Sequence, residues 1–395
     1  MTARAEKSVA IEHVRAVTPG KDLGVCGIRM EDGRIVAIGP DVRPCADDEV
    51  LDGTGLTAVP GFVDIHSHGR SGADFCDATD EAFSTIGRDK LRDGVTGFLA
   101  TGLTRPEVEL AELCRCAERY KAKGEGATCL GVHLEGPFFN REMAGAQNPA
   151  YLKDPDADLV LRLDAISKVV KVSLAPELPG AEACIRTLAA RGIVTSGGHS
   201  AADYASFERA RAVGMTHLTH FCNAMMPIHH LRPSMVTGGL LADDVFVEII
   251  TDGVHLSDPM IALIARMKGP NRVMLITDAM CAAGCPDGLY SLGGLRVRVA
   301  DGCARLADVP YDPSSVVSNV AGSVALFPDC FRRFVRVTGW PLEEAVKATA
   351  FNQCISLGLP DRGELAVGKI ADVVLLDGDL APRTTIVHGR VAWCS

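Results

Sequence analysis

The sequence predicts an α/β fold: a (β/α)8 TIM barrel with a small β-sandwich domain formed by both chain termini. Between residues 59 and 365, apolar runs typical of strands alternate with amphipathic helical stretches, and both ends of the chain show short strands joined by turns. The alternation indicates parallel strands with helical crossovers. We therefore assign residues 1–58 and 366–395 to the small β domain and residues 59–365 to the barrel.

The terminal segments carry hairpin signals. An Asp-Gly turn at 32–33 separates the apolar runs 27–30 and 34–38, which is a strong sign of a hairpin. Near the C-terminus, a turn around 377–379 separates the strand-like runs 371–376 and 385–391. Because these two segments share a character that the middle lacks, we expect them to pair with each other.

The middle segment contains eight strand-like runs, which is the strand number of a TIM barrel. They are 61–66, 96–102, 129–136, 172–177, 192–199, 215–222, 245–252 and 273–278. A doubly wound open sheet is the alternative, but no Gly-x-Gly-x-x-Gly follows the first run. The C-terminal ends of the runs carry polar residues, namely His66 with His68, Thr101, Glu135, Glu177, His199, His220, Asp252 with His255, and Asp278. A TIM barrel places its active site at this end of its strands.

The first run ends in a His-x-His pair. In an extended strand, residues i and i+2 face the same side, so His66 and His68 can point at one metal ion. The sixth run contains both His217 and His220, which are three residues apart and face opposite ways. We choose His220, nearer the C-terminal end, as the residue that faces the barrel mouth.

Imidazoles and carboxylates at a barrel mouth suit a divalent transition metal such as zinc, iron or manganese. Four histidines and one glutamate suffice for two ions with the glutamate between them. We select these five residues as ligands: His66, His68, Glu135, His199 and His220. Asp278 ends the eighth run beside the expected metal, where a carboxylate is suited to take a proton from water and return it to a leaving nitrogen.

Composition excludes several other classes of function. The chain has 395 residues, a net charge of −10 and no cluster of basic residues, so a nucleic-acid partner is not expected. It shows no apolar run long enough to span a membrane and no secretory signal at its charged N-terminus. Its 14 cysteines are scattered and form no Cys-x-x-Cys pair, which is typical of reduced thiols in a cytoplasmic protein.

Several segments, in order along the chain, resemble the amidohydrolase superfamily and, within it, the N-acetylglucosamine-6-phosphate deacetylase family. They are 60–69 (PGFVDIHSHG), 131–138 (GVHLEGPF), 197–200 (GGHS), 220–225 (HFCNAM), 251–255 (TDGVH), 275–279 (LITDA), 321–323 (AGS) and 368–375 (GKIADVVL). The resemblance implies a metal-dependent enzyme that hydrolyses the N-acetyl amide of N-acetylglucosamine 6-phosphate, giving glucosamine 6-phosphate and acetate.

The resemblance also implies roles for single residues. Glu135, His199 and His220 match the ligands of the primary metal, and Asp278 matches the general acid and base. The resemblance implies one or two divalent ions per subunit, because some members use one metal and this chain keeps His66 and His68 for a second. Zinc comes first, with iron, manganese or cobalt as alternatives. The positions that match substrate-binding segments are Ala146, Gln147, Asn223, Ala224, His255, Ala321 and Gly322. Members are homodimers that share the sugar-phosphate site between subunits.

One departure from the family concerns the phosphate. Where the family has an arginine that clamps the phosphate, this chain has Leu231, and Arg232 follows it. An aliphatic side chain cannot hydrogen-bond an oxyanion as an arginine does. Either Arg232 supplies the contact, or the enzyme acts on a different or unphosphorylated N-acyl amino sugar. The stretch 307–319 is also longer than usual in the family.

The sequence argues against two other kinds of protein. Cyclic-amide hydrolases of the superfamily bridge their metals with a modified lysine on the fourth strand, and the run 172–177 contains no lysine. A catalytically inactive scaffold would lack ligands or the acid and base, whereas all six of these positions are filled.

Overall fold

The computed structural model describes residues 8–310, 312 and 319–395. Its strands, in chain order, are β1 (Val9–Thr18), β2 (Lys21–Glu31), β3 (Arg34–Gly39), β4 (Glu49–Asp52), β5 (Thr57–Pro60), β6 (Phe62–Asp64), β7 (Gly69–Arg70), β8 (Ala73–Asp74), β9 (Val95–Gly102), β10 (Thr128–Glu135), β11 (Val169–Leu174), β12 (Val194–Gly197), β13 (Met215–Leu218), β14 (Phe246–Ile249), β15 (Val273–Leu275), β16 (Gly288–Leu292), β17 (Leu295–Ala300), β18 (Cys303–Leu306), β19 (Val373–Leu376), β20 (Pro382–Val387) and β21 (Arg390–Cys394).

The α-helices follow most of the barrel strands. They are α1 (Asp80–Lys90), α2 (Glu107–Lys123), α3 (Ala157–Asp164), α4 (Ala181–Ala189), α5 (Tyr204–Ala212), α6 (Met235–Leu241), α7 (Asp258–Lys268), α8 (Phe327–Thr338), α9 (Leu342–Ala345) and α10 (Phe351–Ser356). The local sequence explains where several of these helices begin. The Thr79 hydroxyl, for example, accepts a hydrogen bond from the backbone N–H of Ala82 at the start of α1. Among the described residues, no helix combines the length and the apolar character that crossing a bilayer would require.

The central sheet contains eight parallel strands in the order β15-β14-β13-β12-β11-β10-β9-β6. Each of the eight predicted runs overlaps one of these strands, so the predicted TIM barrel is confirmed. The two ends of the sheet meet through the backbone, where the Asp278 N–H donates to the His66 carbonyl over 2.9 Å and the His68 N–H donates to the Ala279 carbonyl over 2.8 Å. These contacts bring the first and last strands together beside the site.

The chain termini share one mixed sheet in the order β21-β20-β19-β5-β1-β2-β3, with β4 also pairing with β1. The two termini meet where β19 pairs with β5, and the hairpin of β2 and β3 is present as predicted. The sheet has an apolar core of its own, formed by residues from both ends of the chain, among them Val14, Ile28 and Val373. The predicted β domain of both termini is therefore confirmed, while its exact boundaries stay a prediction.

A smaller antiparallel sheet of β16, β17 and β18 follows the last barrel strand. Its side chains Leu292, Val297 and Val299 pack with Leu103 and Met280, which lie near the barrel mouth. This sheet therefore forms part of the wall of the cavity described next.

Candidate active site

The predicted ligands converge at the carboxyl ends of the barrel strands. His66 and His68 follow β6, Glu135 ends β10, His199 follows β12, His220 follows β13, and Asp278 follows β15. All six side chains are buried, with at most 7% of any residue exposed. The structure thus brings together residues that lie more than 200 positions apart in the sequence.

His66 and His68 face two carboxylates. The Nε2 atom of His66 lies 3.3 Å from Glu135 Oε1 and 3.3 Å from Asp278 Oδ1. The Nε2 atom of His68 lies 3.2 Å from Glu135 Oε2 and 3.0 Å from Asp278 Oδ1. Asp278 is therefore placed directly beside the first group of candidate ligands.

His199 and His220 meet the same glutamate from the other side. Their Nε2 atoms lie 3.2 Å and 3.1 Å from Glu135 Oε1 and 3.0 Å from each other. The Nδ1 atoms lie 2.9 Å from the Met143 carbonyl and 3.2 Å from the Asn223 carbonyl. Since a carbonyl only accepts, each Nδ1 carries the proton and each Nε2 presents its lone pair to the site.

This donor set fits divalent metal ions. Within the described chain, two groups of side chains have ligand atoms within 4.8 Å of one another: His66 with His68 and Glu135, and Glu135 with His199 and His220. Two Nε2 lone pairs in contact repel each other unless a proton or a cation lies between them, and His66 Nε2 is buried without a hydrogen-bond partner of good geometry. Imidazole and carboxylate donors are the usual ligands of zinc and related metals.

Electrostatics keep the carboxylates ionised. Burial would raise the pKa of Glu135 and of Asp278, but the neighbouring imidazoles outweigh it and lower both. Conversely, burial would lower the pKa of His68, but Asp278 and Glu135 raise it to about 9. Asp278 is thus held as a carboxylate, the form that accepts a proton.

The backbone is strained at three of these residues. His199, His220 and Asp278 have φ values of 46°, 27° and 51°, in the left-handed region that side chains other than glycine rarely adopt. Such conformations cost on the order of 1–3 kcal/mol each and occur most often at functional sites. Here they follow strands β12, β13 and β15, where they turn the side chains into the barrel mouth.

The ligand groups form the floor of a cavity of about 540 Å³, including its open mouth. Its lining contains the residues His68, Leu103, Glu135, Gly145, Ala146, Gln147, His199, His220, Asn223, Ala224, His255, Asp278, Leu292, Val320 and Gly322. Six of the eight residues predicted to bind substrate are therefore at the cavity, and Ala321 is buried next to it. Among the described residues of the lining there is no lysine or arginine. Part of the long stretch 307–319 lies outside the described residues.

Arg232 is not brought to this cavity. It lies in an exposed loop, where its guanidinium is 3.4 Å from His229 Nε2. The preceding Leu231 is 77% exposed. Within one subunit, the structure thus gives Arg232 no contact with the predicted sugar site.

Gln147 lines the cavity and also contacts a candidate ligand. Its Nε2 donates to Glu135 Oε2 over 2.7 Å, and its Oε1 accepts from the Thr104 backbone N–H over 2.8 Å. Both polar ends of this side chain are occupied, so Gln147 holds Glu135 in position.

The other polar residues at strand ends form hydrogen bonds with neighbouring side chains and backbone groups. Asp252 Oδ2 lies 2.8 Å from His255 Nδ1. Burial would lower the pKa of His255, but Asp252 raises it. Glu177 joins two loops at the mouth, because it accepts hydrogen bonds from Asn140 and from the Ser200 hydroxyl. Thr101 accepts from the Ser67 N–H over 3.1 Å.

His217, the alternative to His220, faces away from the ligand groups. It is buried, packs on Phe246 and is no member of either ligand group among the described residues. Burial lowers its pKa to about 3. The choice of His220 agrees with its place in the cavity.

The fourth barrel strand differs from the expectation drawn from the sequence. The fourth barrel strand begins at Val169, earlier than predicted, and it does contain a lysine, Lys171. Lys171 donates to Glu248 Oε1 inside the barrel and belongs to neither ligand group of the described chain. Glu135, rather than a lysine, is the residue shared by the two ligand groups. Sequence reasoning missed Glu248 because it lies inside an apolar run; its charge within that run was the available signal.

Comparison with known proteins agrees with this architecture. Residues 57–392 match the model of the amidohydrolase family. N-acetylglucosamine-6-phosphate deacetylase of Lysinibacillus sphaericus is 35% identical over 365 residues, which cover 92% of this chain and 92% of the relative. The crystal structure of the deacetylase of that name from Thermotoga maritima has a TM-score of 0.88 at 36% identity, covering 98% of this chain and 100% of that one.

A mutant of the Mycobacterium smegmatis deacetylase, solved in complex with N-acetyl-D-glucosamine-6-phosphate, has a TM-score of 0.89 at 33% identity. The alignment covers 98% of this chain and 100% of that one. With the barrel, the ligand groups and these relatives in agreement, the chain belongs to the amidohydrolase family and, within it, to the N-acetylglucosamine-6-phosphate deacetylases.

Proposed function

We propose that the protein is a metal-dependent deacetylase that hydrolyses the N-acetyl amide of N-acetylglucosamine 6-phosphate to glucosamine 6-phosphate and acetate. The observation that carries the proposal is the position of Asp278, 3.0 Å from His68 and 3.3 Å from His66, within the cavity of a chain from this family. A carboxylate beside two groups of metal ligands is an arrangement suited to metal-assisted amide hydrolysis.

We propose His66, His68, Glu135, His199 and His220 as the ligands of one or two divalent ions per subunit. Zinc fits the nitrogen-rich donor set best, with iron, manganese or cobalt as alternatives. A divalent ion held there would polarise the acetyl carbonyl and lower the pKa of a bound water toward about 7.

Asp278 performs the proton transfers in this proposal. Its carboxylate form accepts a proton from the attacking water and then donates it to the departing amine nitrogen, because an amide anion is too poor a leaving group. The lowered pKa of Asp278 keeps the group in the carboxylate form that the first of these steps requires. The neighbouring His66 and His68 hold its Oδ1 atom in one place.

Substrate contacts are proposed for the lining residues Ala146, Gln147, Asn223, Ala224, His255 and Gly322, together with Ala321 behind them and Arg232. Arg232 lies outside the cavity of its own subunit, so its role requires a homodimer in which the loop reaches the neighbouring site. We propose such a homodimer, acting in the cytoplasm on a small amino-sugar substrate.

The second candidate function is deacetylation of a different or unphosphorylated N-acyl amino sugar. It is favoured by Leu231 and by the absence of lysine and arginine from the described lining of the cavity. The two candidates share all the chemistry at the amide and differ only in what binds carbon 6 of the sugar.

Acetate release by the metal-loaded protein distinguishes the candidates. N-acetylglucosamine 6-phosphate and unphosphorylated N-acetylglucosamine are compared, with the galactosamine epimers alongside. We expect kcat/KM to favour the phosphorylated sugar by at least about 100-fold, which is roughly 2.7 kcal/mol of transition-state binding. Equal or reversed values would contradict the 6-phosphate assignment and support the second candidate.

A further inference from the structure

A buried ion pair crosses the barrel beneath the ligand groups. Lys171 on β11 donates to Glu248 Oε1 on β14, and both residues are fully buried. The reaction proposed above uses neither of them. Removing two charges from water costs several kcal/mol per ion, so a buried pair is weak evidence of stabilisation by itself.

The second oxygen of Glu248 faces a candidate metal ligand. Glu248 Oε2 lies 3.4 Å from His66 Nδ1. The other oxygen of the same carboxylate accepts the hydrogen bond from Lys171, so the cation lies directly beside it. Because an ionised carboxylate only accepts, Nδ1 of His66 carries the proton and Nε2 keeps its lone pair toward the site.

The orientation of the His66 ring determines where its Nε2 atom lies at the mouth of the barrel. With Nδ1 held by Glu248, His66 Nε2 lies 3.3 Å from Glu135 Oε1. The ring also packs edge to face against His133, with 4.6 Å between the ring centroids. These contacts fix the direction in which the lone pair of His66 points.

His66 differs in this respect from the other three histidines. The Nδ1 atoms of His68, His199 and His220 lie near backbone carbonyls, those of Thr101, Met143 and Asn223. For His66 the corresponding partner is a charged side chain. A carboxylate partner fixes the tautomer of a metal-binding histidine and raises its basicity as a ligand.

We propose that Glu248 is a positioning residue for His66, with Lys171 balancing its buried charge, so that metal binding by His66, His68 and Glu135 depends on the oxygen that Glu248 presents to His66 Nδ1. The inference rests on the metal-dependent function proposed above and adds two residues to its machinery. Neither residue is among the described residues that line the cavity, so any effect on the site reaches it through His66.

Two matched double variants test the proposal, K171M/E248Q and K171M/E248M. Both remove the two buried charges with side chains of similar length, and they differ in whether an oxygen faces His66. The readouts are zinc content per subunit and the dissociation constant for Zn²⁺, obtained by competition with a chelator. We expect wild type and K171M/E248Q to bind two ions, and K171M/E248M to lose one or to bind it about 10–100-fold more weakly.

Two results would overturn the proposal. One is equal zinc stoichiometry and affinity in the two double variants. The other is a wild-type protein whose zinc binding is unaffected by His66→Ala, because His66 would then not be a ligand.

If K171M/E248M fails to fold, Glu248→Asp gives the same test. It keeps the charge opposite Lys171 and withdraws the carboxylate from His66 by one methylene, so weaker zinc binding is expected and unchanged binding would refute the proposal. Zinc binding is measured independently of acetate release. A protein that binds two zinc ions but releases no acetate would contradict the proposed function and leave this inference standing.

Discussion

Replacing Asp278 by Asn removes the proposed acid and base with little change in shape. The φ angle at this position is 51°, a conformation that asparagine tolerates as aspartate does, so the variant adds no backbone strain. The backbone hydrogen bonds from Asp278 N–H to His66 and from Ser323 N–H to the Asp278 carbonyl are retained. The perturbation is therefore confined to the carboxylate.

The expected loss follows from the role assigned to the carboxylate. General acid and base catalysis contributes about 10²–10⁴-fold, or roughly 2.7–5.5 kcal/mol of transition-state stabilisation. We expect kcat for acetate release to fall by that factor while KM changes little, because Asp278 acts on the reacting atoms rather than on the sugar. Zinc content is the control, since Asp278 is not among the proposed ligands. A fall in kcat of less than about tenfold, with zinc retained, would refute the assignment.

Three further predictions concern the surroundings of the site. Gln147→Leu removes the amide donor to Glu135 Oε2 and leaves the Thr104 N–H without its acceptor. It should lower the free energy of unfolding by about 1–3 kcal/mol and weaken zinc binding, measured by chemical denaturation and chelator competition. Unchanged values would contradict its positioning role. Because Asp252 raises the pKa of His255, the ion pair stabilises the folded protein fully below about pH 6.5, and this stabilisation is lost as the pH rises through the raised pKa. His255→Gln should therefore lower Tm more near pH 6 than near pH 9. An equal loss of Tm at both pH values would argue against a charged pair. Leu231→Arg lies in an exposed loop, so it should change the free energy of unfolding by no more than about 0.5 kcal/mol. It should increase the preference for the phosphorylated sugar in the acetate assay. An unchanged preference would show that Leu231 does not determine specificity.

Much of the fold and of the site could be predicted because the relevant signals are local. Polar residues such as His66, Glu135 and Asp278 interrupt or end apolar runs, and parallel strands of a barrel bring their carboxyl ends to one place. The resemblance of the motifs then supplied the expectation of a sugar substrate. The ligands and the catalytic residue remain proposals for this chain.

The parts that could not be predicted depend on contacts between distant strands. Lys171 and Glu248 each look like a single charge in an apolar segment, and only the closed barrel shows that they pair across its interior. The bond between Gln147 and Glu135 depends on a loop whose path the sequence does not reveal. The position of Arg232 likewise depends on a loop without regular structure.

The most direct test of the account is acetate release from N-acetylglucosamine 6-phosphate by the protein stripped of metal and then reloaded with Zn²⁺. We expect the stripped protein to be inactive and activity to return in proportion to the zinc bound, with no return in a His199→Ala variant that lacks a proposed ligand. Full activity without metal, or no acetate from any of the amino sugars after reloading, would contradict the account.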